Sequence, residues 1–291
     1  MLTVLDIIKK TTEFLAAKGV ESPRLNAELL IGHGLGLTRM QLYLQFERPL
    51  TAAELEKIRP LVRRRGLREP VQYIIGETEF HGLNLKADRR ALIPRPETEL
   101  LVEQIIDRLE SPPGRILDLG TGTGAIALAL AKHFPSAEIT AVDSSADALA
   151  LAAENAAKNQ LQGRVSWVIS NWFDGLEGGG RFDLIVSNPP YLSGEETAQA
   201  SPEVRDYEPA SALTSEGDFG AADLSVIVAG APRHLRPGGL IALETGINQH
   251  DLLVERLRAA GFAAIRSCPD LTGRDRFLFA TLPDPPEAGA A

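Results

Sequence analysis

Cysteine is almost absent from this chain: Cys268 is the single thiol in 291 residues. One thiol excludes an intramolecular disulfide framework and a cysteine-rich metal site. It fits a reducing compartment, so a cytoplasmic location is expected. Long apolar runs are missing too. None approaches the ~20 residues that a membrane span requires, and no membrane association is expected. The opening stretch, MLTVLDIIKKTTEFLAAKG, carries acids and reads as an amphipathic helix rather than a secretory leader. The five histidines (His33, His81, His133, His234 and His250) show no ligand spacing, so no metal is expected. Internal repeats are likewise lacking.

An excess of positive charge is also lacking, since the formal net charge is −9. The deficit is uneven. Residues 1–90 hold 15 Lys and Arg against 11 Asp and Glu, whereas the remainder holds 15 against 28. So acidic a larger part is a poor clamp for nucleic acid, because neutralising phosphates dominates such binding. No stable nucleic-acid complex is expected. The basic excess lies mostly in Arg59, Arg63, Arg64, Arg65 and Arg68. That cluster is either a solvated helix end or a face for an acidic protein or an RNA.

What is present divides the chain. Residues 1–69 carry helical periodicity, with Val4, Leu5, Ile8 and Leu15 sharing one face. Ser22-Pro23 reads as an N-cap and first-turn pair. Gly32, Gly34 and Gly36 read as the end of that helix, and Thr51 to Glu54 as a capping box opening another. A small helical bundle follows. Residues 70–93 change character. Val71 to Ile75 is β-branched and aromatic, and the stretch from Glu79 through Gly82 to Ile93 reads as a second strand after a turn. This predicts a β-hairpin linker. From residue 94 to 282, strands alternate with helices. Strands are expected at 115–119, 137–142, 164–169, 182–187, 239–244, 262–267 and 276–282, with helices near 124–133, 145–159, 219–235 and 248–260 between them. Such alternation predicts an α/β, Rossmann-like domain with a mostly parallel seven-stranded sheet covered on both faces. Its ligands belong at the carboxyl ends of the strands. The tail, 283–291, is rich in Pro, Ala and Gly and is expected to be disordered.

The first of these strands runs directly into Gly120, Thr121, Gly122, Thr123 and Gly124, and an apolar helix follows. Alternate glycines let the backbone turn sharply and approach a ligand closely. Asp143 ends the next strand, 19 residues after Gly124. An acid about 20 residues past such a turn commonly accepts hydrogen bonds from ribose hydroxyls. The spacing is G-x-G-x-G rather than the G-x-G-x-x-G of dinucleotide sites, and Asp118 precedes it. A carboxylate there repels a pyrophosphate but suits the cationic amino-acid end of S-adenosylmethionine. Trp172, just past the third strand, either flanks an adenine or packs in the core.

The fourth strand runs into Asn188-Pro189-Pro190-Tyr191. Two prolines fix φ and remove two N–H donors, leaving carbonyls as rigid acceptors. The Asn188 carboxamide oxygen and the Pro189 carbonyl can each accept one hydrogen of an NH2 group, and Tyr191 can stack on the flat group carrying it. An amide nitrogen is a poor nucleophile because its lone pair is delocalised. Two fixed acceptors favour a pyramidal nitrogen whose lone pair is aimed at an activated methyl group. Positioning of this kind supplies up to ~7–11 kcal/mol of a barrier. Neither a strong base nor a metal is required.

Taken together, these residues resemble the PrmC/HemK family of release-factor glutamine methyltransferases. The resemblance runs from the helical bundle to about Leu282. It rests on Pro70 to Glu77, Leu92-Ile-Pro-Arg-Pro-Glu-Thr-Glu99, Asp118 to Ala127 and Ser187 to Tyr191, with Tyr207-Glu-Pro209, Leu243-Glu244, Gly246 and the run from Asp270 to Arg276 in support. It implies transfer of a methyl group from S-adenosyl-L-methionine, leaving S-adenosyl-L-homocysteine. The acceptor would be the Gln of a Gly-Gly-Gln motif in peptide chain release factors, which becomes N5-methylglutamine. By resemblance, Gly120, Thr121, Gly122, Thr123, Gly124, Asp143, Trp172 and Asn188 contact the cofactor. Asn188, Pro189, Pro190 and Tyr191 bind the glutamine amide, and Asn188, Pro189 and Tyr191 are the catalytic set. The helical domain and hairpin would dock the release factor, and a monomer is expected. Thr245, Asn248 and His81 depart mildly from the family pattern.

Three rivals compete. A nucleic-acid amino methyltransferase would use the same tetrapeptide on a flipped adenine or guanine, but the acidic catalytic part and the lack of a basic, aromatic-rich region disfavour it. A non-catalytic binding module is disfavoured by the intact Asn188 and Tyr191, and a nicotinamide oxidoreductase by the loop spacing. Arg95, Glu97 and Glu99 either shape the mouth of the site or simply form a helix entry.

Overall fold

The structure is a computed structural model that describes residues 2–176 and 180–284. The chain forms two units. One comprises the chain up to Glu77 together with Ala200–Tyr207; the other comprises Thr78–Gln199 and the chain from Glu208 onward.

The first unit is helical: α1 (Val4–Ala17), α2 (Pro23–Leu35), α3 (Arg39–Tyr43), α4 (Ala52–Gly66) and α5 (Val71–Ile75). Thr3, Thr38 and Thr51 open α1, α3 and α4 with reciprocal capping boxes, each of which satisfies two backbone N–H groups at the helix start. Val4, Ile8, Ile31, Leu42, Leu50 and Ile58 close one apolar cluster. Leu15, Val20, Ala27, Leu30 and Ile74 close a second. Three local expectations are corrected here. Ser22 makes no side-chain cap: it sits at φ 47°, ψ 54°, outside the extended backbone that a cap typically adopts. α2 runs through Gly32 and Gly34 and stops at Gly36, which has φ 67°. Val71–Ile75 is a helical turn rather than a strand. A five-residue apolar run has no period long enough to separate the two conformations. Burial of Tyr73 and Ile74, with Gly76 at φ 86° closing the turn, decides for helix.

The second unit begins within a hairpin, β1 (Glu77–Phe80) and β2 (Leu83–Lys86), only Glu77 of which falls in the first unit. Its turn is His81-Gly82, both at positive φ, so Glu77–Phe80 is the first strand and not the second. No strand runs on to Ile93. The Asp88 carboxylate accepts the Arg90 N–H at 3.1 Å and turns the chain, as Asx side chains do. The rest follows as α6 (Pro96–Arg108), β3 (Arg115–Leu119), α7 (Ala125–His133), β4 (Glu138–Asp143), α8 (Ala146–Lys158), β5 (Val165–Ile169), β6 (Phe182–Ser187), α9 (Gly194–Gln199), α10 (Pro202–Arg205, in the first unit), α11 (Ala222–His234), β7 (Leu235–Glu244), α12 (His250–Ala259), β8 (Ala263–Pro269) and β9 (Asp275–Thr281). The sheet order is β5-β4-β3-β6-β7-β9-β8. β5, β4, β3, β6 and β7 are parallel, and β9 runs antiparallel to both of its neighbours.

Successive residues of the central strands feed opposite faces, as a pleat requires. Ile116 and Leu184 join a cluster with Leu101, Ile105 and Leu128. Leu117 and Ile185 join another with Leu224, Ile227, Leu253 and Leu257. With both faces covered, the polar groups concentrate at the carboxyl ends of β3, β4 and β6. Asn155 of α8, fully buried, ties the hairpin to this edge: it accepts the Lys86 N–H at 2.6 Å and donates to the Thr123 carbonyl at 3.0 Å. Of the tail, residues 285–291 lie outside the described residues.

Candidate active site

β3 delivers the glycine loop. Gly120, Gly122 and Gly124 lie at φ 72°, 55° and 80°, where a side chain is strained. The N–H groups of Gly120 and Thr121 both donate to the Val142 carbonyl at 2.9 Å, stitching the loop to the end of β4. Asp143 finishes the stitch, accepting the Gly122 N–H on Oδ2 and the Ser145 N–H on Oδ1, each at 2.9 Å. Gly124 does a different job. A Cβ there would lie 3.0 Å from Ala152 and 3.2 Å from the Trp167 ring. It caps α7 and allows close helix packing, and it does not line the cavity.

Asp118 is fully buried beside this loop. Its Oδ2 accepts the Thr121 hydroxyl at 2.6 Å, while its Oδ1 has no hydrogen-bond partner. Burial pushes its carboxyl up to about 7, the Asp143 charge adds to this, and Thr121 and the Ala127 N–H oppose it. An orphaned buried acceptor of this kind suits a cationic ligand group and disfavours a phosphate.

Trp172 lies at φ 51°, with its carbonyl accepting the Ser170 hydroxyl at 2.8 Å. Its indole N–H donates to Asp223 at 3.2 Å. Its ring edge would meet a Cβ on Gly120 at 3.3 Å. The ring also packs on the apolar cluster beneath it, so core packing and a place at the cavity coexist.

β6 delivers the tetrapeptide. Ser187, fully buried, donates to the Leu119 carbonyl at 2.7 Å and fixes the strand end beside the glycine loop. The next residue, Asn188, donates its side-chain NH2 to Thr98 Oγ1 at 3.0 Å. The Thr98 hydroxyl donates in turn to Glu244 Oε2 at 2.7 Å. The other oxygen, Glu244 Oε1, accepts the Tyr191 hydroxyl at 3.1 Å. Glu244 is buried, and burial raises its carboxyl above the usual range, against the Thr98 and Tyr191 hydrogen bonds and the Arg276 charge. Burial, reinforced by the Glu244 charge, likewise raises the Tyr191 phenol, which therefore stays a neutral donor. With its NH2 committed to Thr98, the Asn188 carboxamide has its oxygen left as an acceptor.

These parts converge on a cavity of about 490 Å³, lined by Gly120, Thr121, Gly122, Thr123, Asp143, Trp172, Asn188 and Pro190 among others. The volume suits a nucleoside-sized ligand with a side chain beside it. Pro189 and Tyr191 do not line it. Pro189 is buried, and Tyr191 lies with the Arg276 guanidinium 5.6 Å from its ring centroid.

Sequence reasoning missed Thr98, Glu244 as a hydrogen-bond hub, Asp223 and Arg276. Thr98 sits inside Pro94-Arg-Pro-Glu-Thr-Glu99, where only the charged residues drew attention. Those charges divide. Arg95 lines the cavity and pairs with the buried Glu208, which also accepts the Ile93 N–H at 3.0 Å. Glu99 accepts the His81 N–H at 2.7 Å and braces the hairpin turn. In the helical unit, the basic cluster is largely spoken for. Arg65 and Arg68 grip Glu203 at 2.8 and 2.6 Å, Arg64 pairs with Glu69, and Arg59 with Glu56. Arg63 is exposed and lacks a charged partner among the described residues. No described helix is long and apolar enough to cross a membrane. No group of His, Cys, Asp and Glu among the described residues could hold a metal ion.

Comparison with known proteins agrees. The family described as PrmC N-terminal domain matches residues 6–76, and the methyltransferase small domain matches 96–220. A release factor glutamine methyltransferase of Chlorobaculum tepidum is 44% identical over 289 residues, covering 95% of this chain and 96% of its own. One of Geobacter sulfurreducens is 42% identical, covering 95% of each. Among solved structures, a Pyrococcus furiosus methyltransferase superposes with a TM-score of 0.53 at 22% identity, covering 70% of this chain and 90% of its own. A T. thermophilus 16S rRNA N2 methyltransferase, solved with AdoMet and guanosine, gives 0.51 at 24% identity, covering 70% and 49%. At these identities the two structures establish the fold alone.

Proposed function

This chain belongs to the family of release factor glutamine methyltransferases, and from that membership we propose that it methylates the side-chain amide nitrogen of the Gln in the Gly-Gly-Gln motif of peptide chain release factors. The observation carrying the chemistry is the tether of Asn188 to Thr98, at the wall of the cavity that the glycine loop and Asp143 also line.

When bound, S-adenosylmethionine supplies an electrophilic methyl group on a sulfonium. The residues present suit that cofactor. Asp143 keeps lone pairs for ribose hydroxyls beyond the two N–H groups it already accepts. Asp118 does not itself line the cavity but, buried behind the cavity-lining Thr121, favours a cationic group over a phosphate on that side of the site. Trp172 flanks the base. The glutamine NH2 is then assigned to Asn188 Oδ1 at the cavity wall and, although Pro189 itself is buried outside the lining, to the Pro189 carbonyl, one hydrogen each. Both acceptors stabilise the positive charge that develops on nitrogen as the methyl arrives. The methylated nitrogen is very acidic and releases one proton to water. Tyr191, whose hydroxyl and ring face are occupied by Glu244 and Arg276, acts chiefly by anchoring the tetrapeptide.

Mass spectrometry of a recombinant release factor, after incubation with the protein and S-adenosylmethionine, tests this. A gain of one methyl group on the Gly-Gly-Gln glutamine is expected. With Asn188→Ala it should disappear while the fold persists. Label appearing in DNA or RNA but not in the release factor would overturn the assignment, and near-normal turnover by Asn188→Ala would overturn its role.

A further inference from the structure

The tetrapeptide is fixed at its entrance by Ser187 and along its length by two proline φ angles, but prolines leave ψ free. What holds its exit is a side chain that neither the motif nor the cavity contains. Gln249, at the N-terminus of α12, is 1% exposed. Its Oε1 accepts the Gly246 N–H at 2.8 Å. Its Nε2 donates both of its hydrogens, to the Tyr191 carbonyl at 2.8 Å and to the Phe219 carbonyl at 2.6 Å. All four valences of a neutral carboxamide are directed: three are used, and none of the other amino-acid types offers one acceptor and two donors at this length.

The surroundings are built around this clamp. Gly246 leaves room for it, since a Cβ there would press on the Gln249 amide at 3.2 Å. Gly220, at φ 71°, lies so close to the tetrapeptide that a Cβ would fall 2.8 Å from the Tyr191 carbonyl oxygen and from the Ser193 nitrogen. The neighbouring Phe219 is held at φ 55° although it has a side chain, and that side chain is 62% exposed. A non-glycine residue stays in this region only where its surroundings hold it there. Tyr191 is thus gripped at three points: hydroxyl by Glu244, ring face by Arg276, carbonyl by Gln249.

We propose that Gln249 is a positioning residue for glutamine methylation: it locks the exit of Asn188-Pro189-Pro190-Tyr191 against the Gly217–Gly220 turn, and so sets the direction of the acceptor carbonyls on which attack depends. It touches neither the cavity nor the reacting atoms. The inference rests on the function proposed above.

The test is Gln249→Glu in the full chain, assayed beside the wild type with a recombinant release factor. The substitution keeps the size of the side chain and its bond to Gly246, but when ionised it faces two carbonyl oxygens with no hydrogen to give. At pH 8.5 kcat is expected to fall about 10- to 100-fold, the range that small misplacements of a reacting group produce. KM for the release factor and the cofactor Kd should stay within about threefold. Protonation returns one donor, so the ratio of variant to wild-type kcat should climb at least fivefold, in order of magnitude, between pH 8.5 and 6.5. If the variant fails to fold, Gln249→Met, similar in volume and uncharged, should show the same loss of kcat without the recovery. A kcat within twofold of wild type at both pH values would overturn the proposal. So would a loss that falls equally on cofactor Kd, which would mark general structural damage. A wild-type chain that leaves the release factor unmethylated would instead refute the function itself, and this inference with it.

Discussion

Thr98→Val removes one hydroxyl and replaces it with a methyl group of nearly the same size. The structure assigns that hydroxyl two bonds, 3.0 Å from the Asn188 NH2 and 2.7 Å to Glu244 Oε2. Thr98 is 4% exposed and Glu244 1%, so water does not readily replace either bond. Leaving a buried polar partner unsatisfied costs roughly 1–3 kcal/mol. The two partners here share one hydroxyl, and Glu244 keeps its bond to Tyr191, which brings the expected loss to about 2–3 kcal/mol. For a domain of this size that is a fall in Tm of roughly 4–12 °C. The functional effect should be disproportionate. Without Thr98 the Asn188 amide is free to rotate, and its oxygen and NH2 can exchange places, presenting a donor where an acceptor is needed. A fall in kcat of about 10- to 100-fold follows if orientation is what the tether provides. Cofactor Kd should move less than kcat, because Thr98, although it lines the cavity, bonds to none of the glycine loop or Asp143. Thr98→Ser keeps the hydroxyl and should retain most of the rate. The assay is steady-state methylation of release factor, with thermal melts and cofactor titration alongside. If Thr98→Val keeps kcat within twofold, or if Thr98→Ser is equally impaired, the tether does not orient Asn188 and the reasoning fails.

Three further outcomes follow from other parts of the site. Asp143→Ala removes the carboxylate that holds the Gly122 N–H, so calorimetry should show cofactor affinity reduced about 10- to 100-fold, with kcat at saturation far less affected; an unchanged Kd would sink the ribose assignment. Asp118 has its folded-state carboxyl raised to about 7 from 3.8, so between those values the folded chain binds a proton that the unfolded chain has released, and stability declines as pH rises through that window. Binding a cationic group should favour the ionised form, making cofactor affinity rise with pH near 7, and Asp118→Asn should flatten that rise; a persistent slope in the variant would place the titration elsewhere. Finally, Arg63→Ala changes an exposed member of the basic cluster, one with no charged partner among the described residues, without disturbing Arg65 or Arg68 on Glu203. If that face meets the release factor, KM should rise severalfold at low salt and converge with wild type as salt screens the charge; identical KM values at low salt would make the cluster purely structural.

Much was legible because it depends on local spacing. The run from Arg115 through Gly124 to Asp143 announces a strand, a turn too tight for side chains and an acceptor at the next strand end, and all three follow from neighbours within about 30 residues. Asn188 to Tyr191 was equally readable, since two prolines fix backbone geometry whatever surrounds them. Where local signals were short, they misled. Val71–Ile75 has β-branched composition but lies between Pro70 and a left-handed Gly76, and burial made it helical. Ser22 had the right residue type for a cap, yet its left-handed backbone is not the extended one from which a cap reaches the first turn. The charges of Arg64, Arg65 and Arg68 suggested a free basic face until Glu69 and Glu203 claimed them.

The sequence by itself determined the alternating α/β order, the glycine loop and the stiff tetrapeptide, because each is written in residues adjacent along the chain. Only the tertiary structure decided what holds them in working order. Thr98 lies 90 residues from Asn188, Glu244 lies 53 from Tyr191, and Gln249 lies 58 from the carbonyl it clamps. No pattern in one sequence marks such partners. Hydrogen bonds join whatever groups the sheet brings to its carboxyl edge, and that neighbourhood comes into being only when β3, β6 and β7 lie side by side.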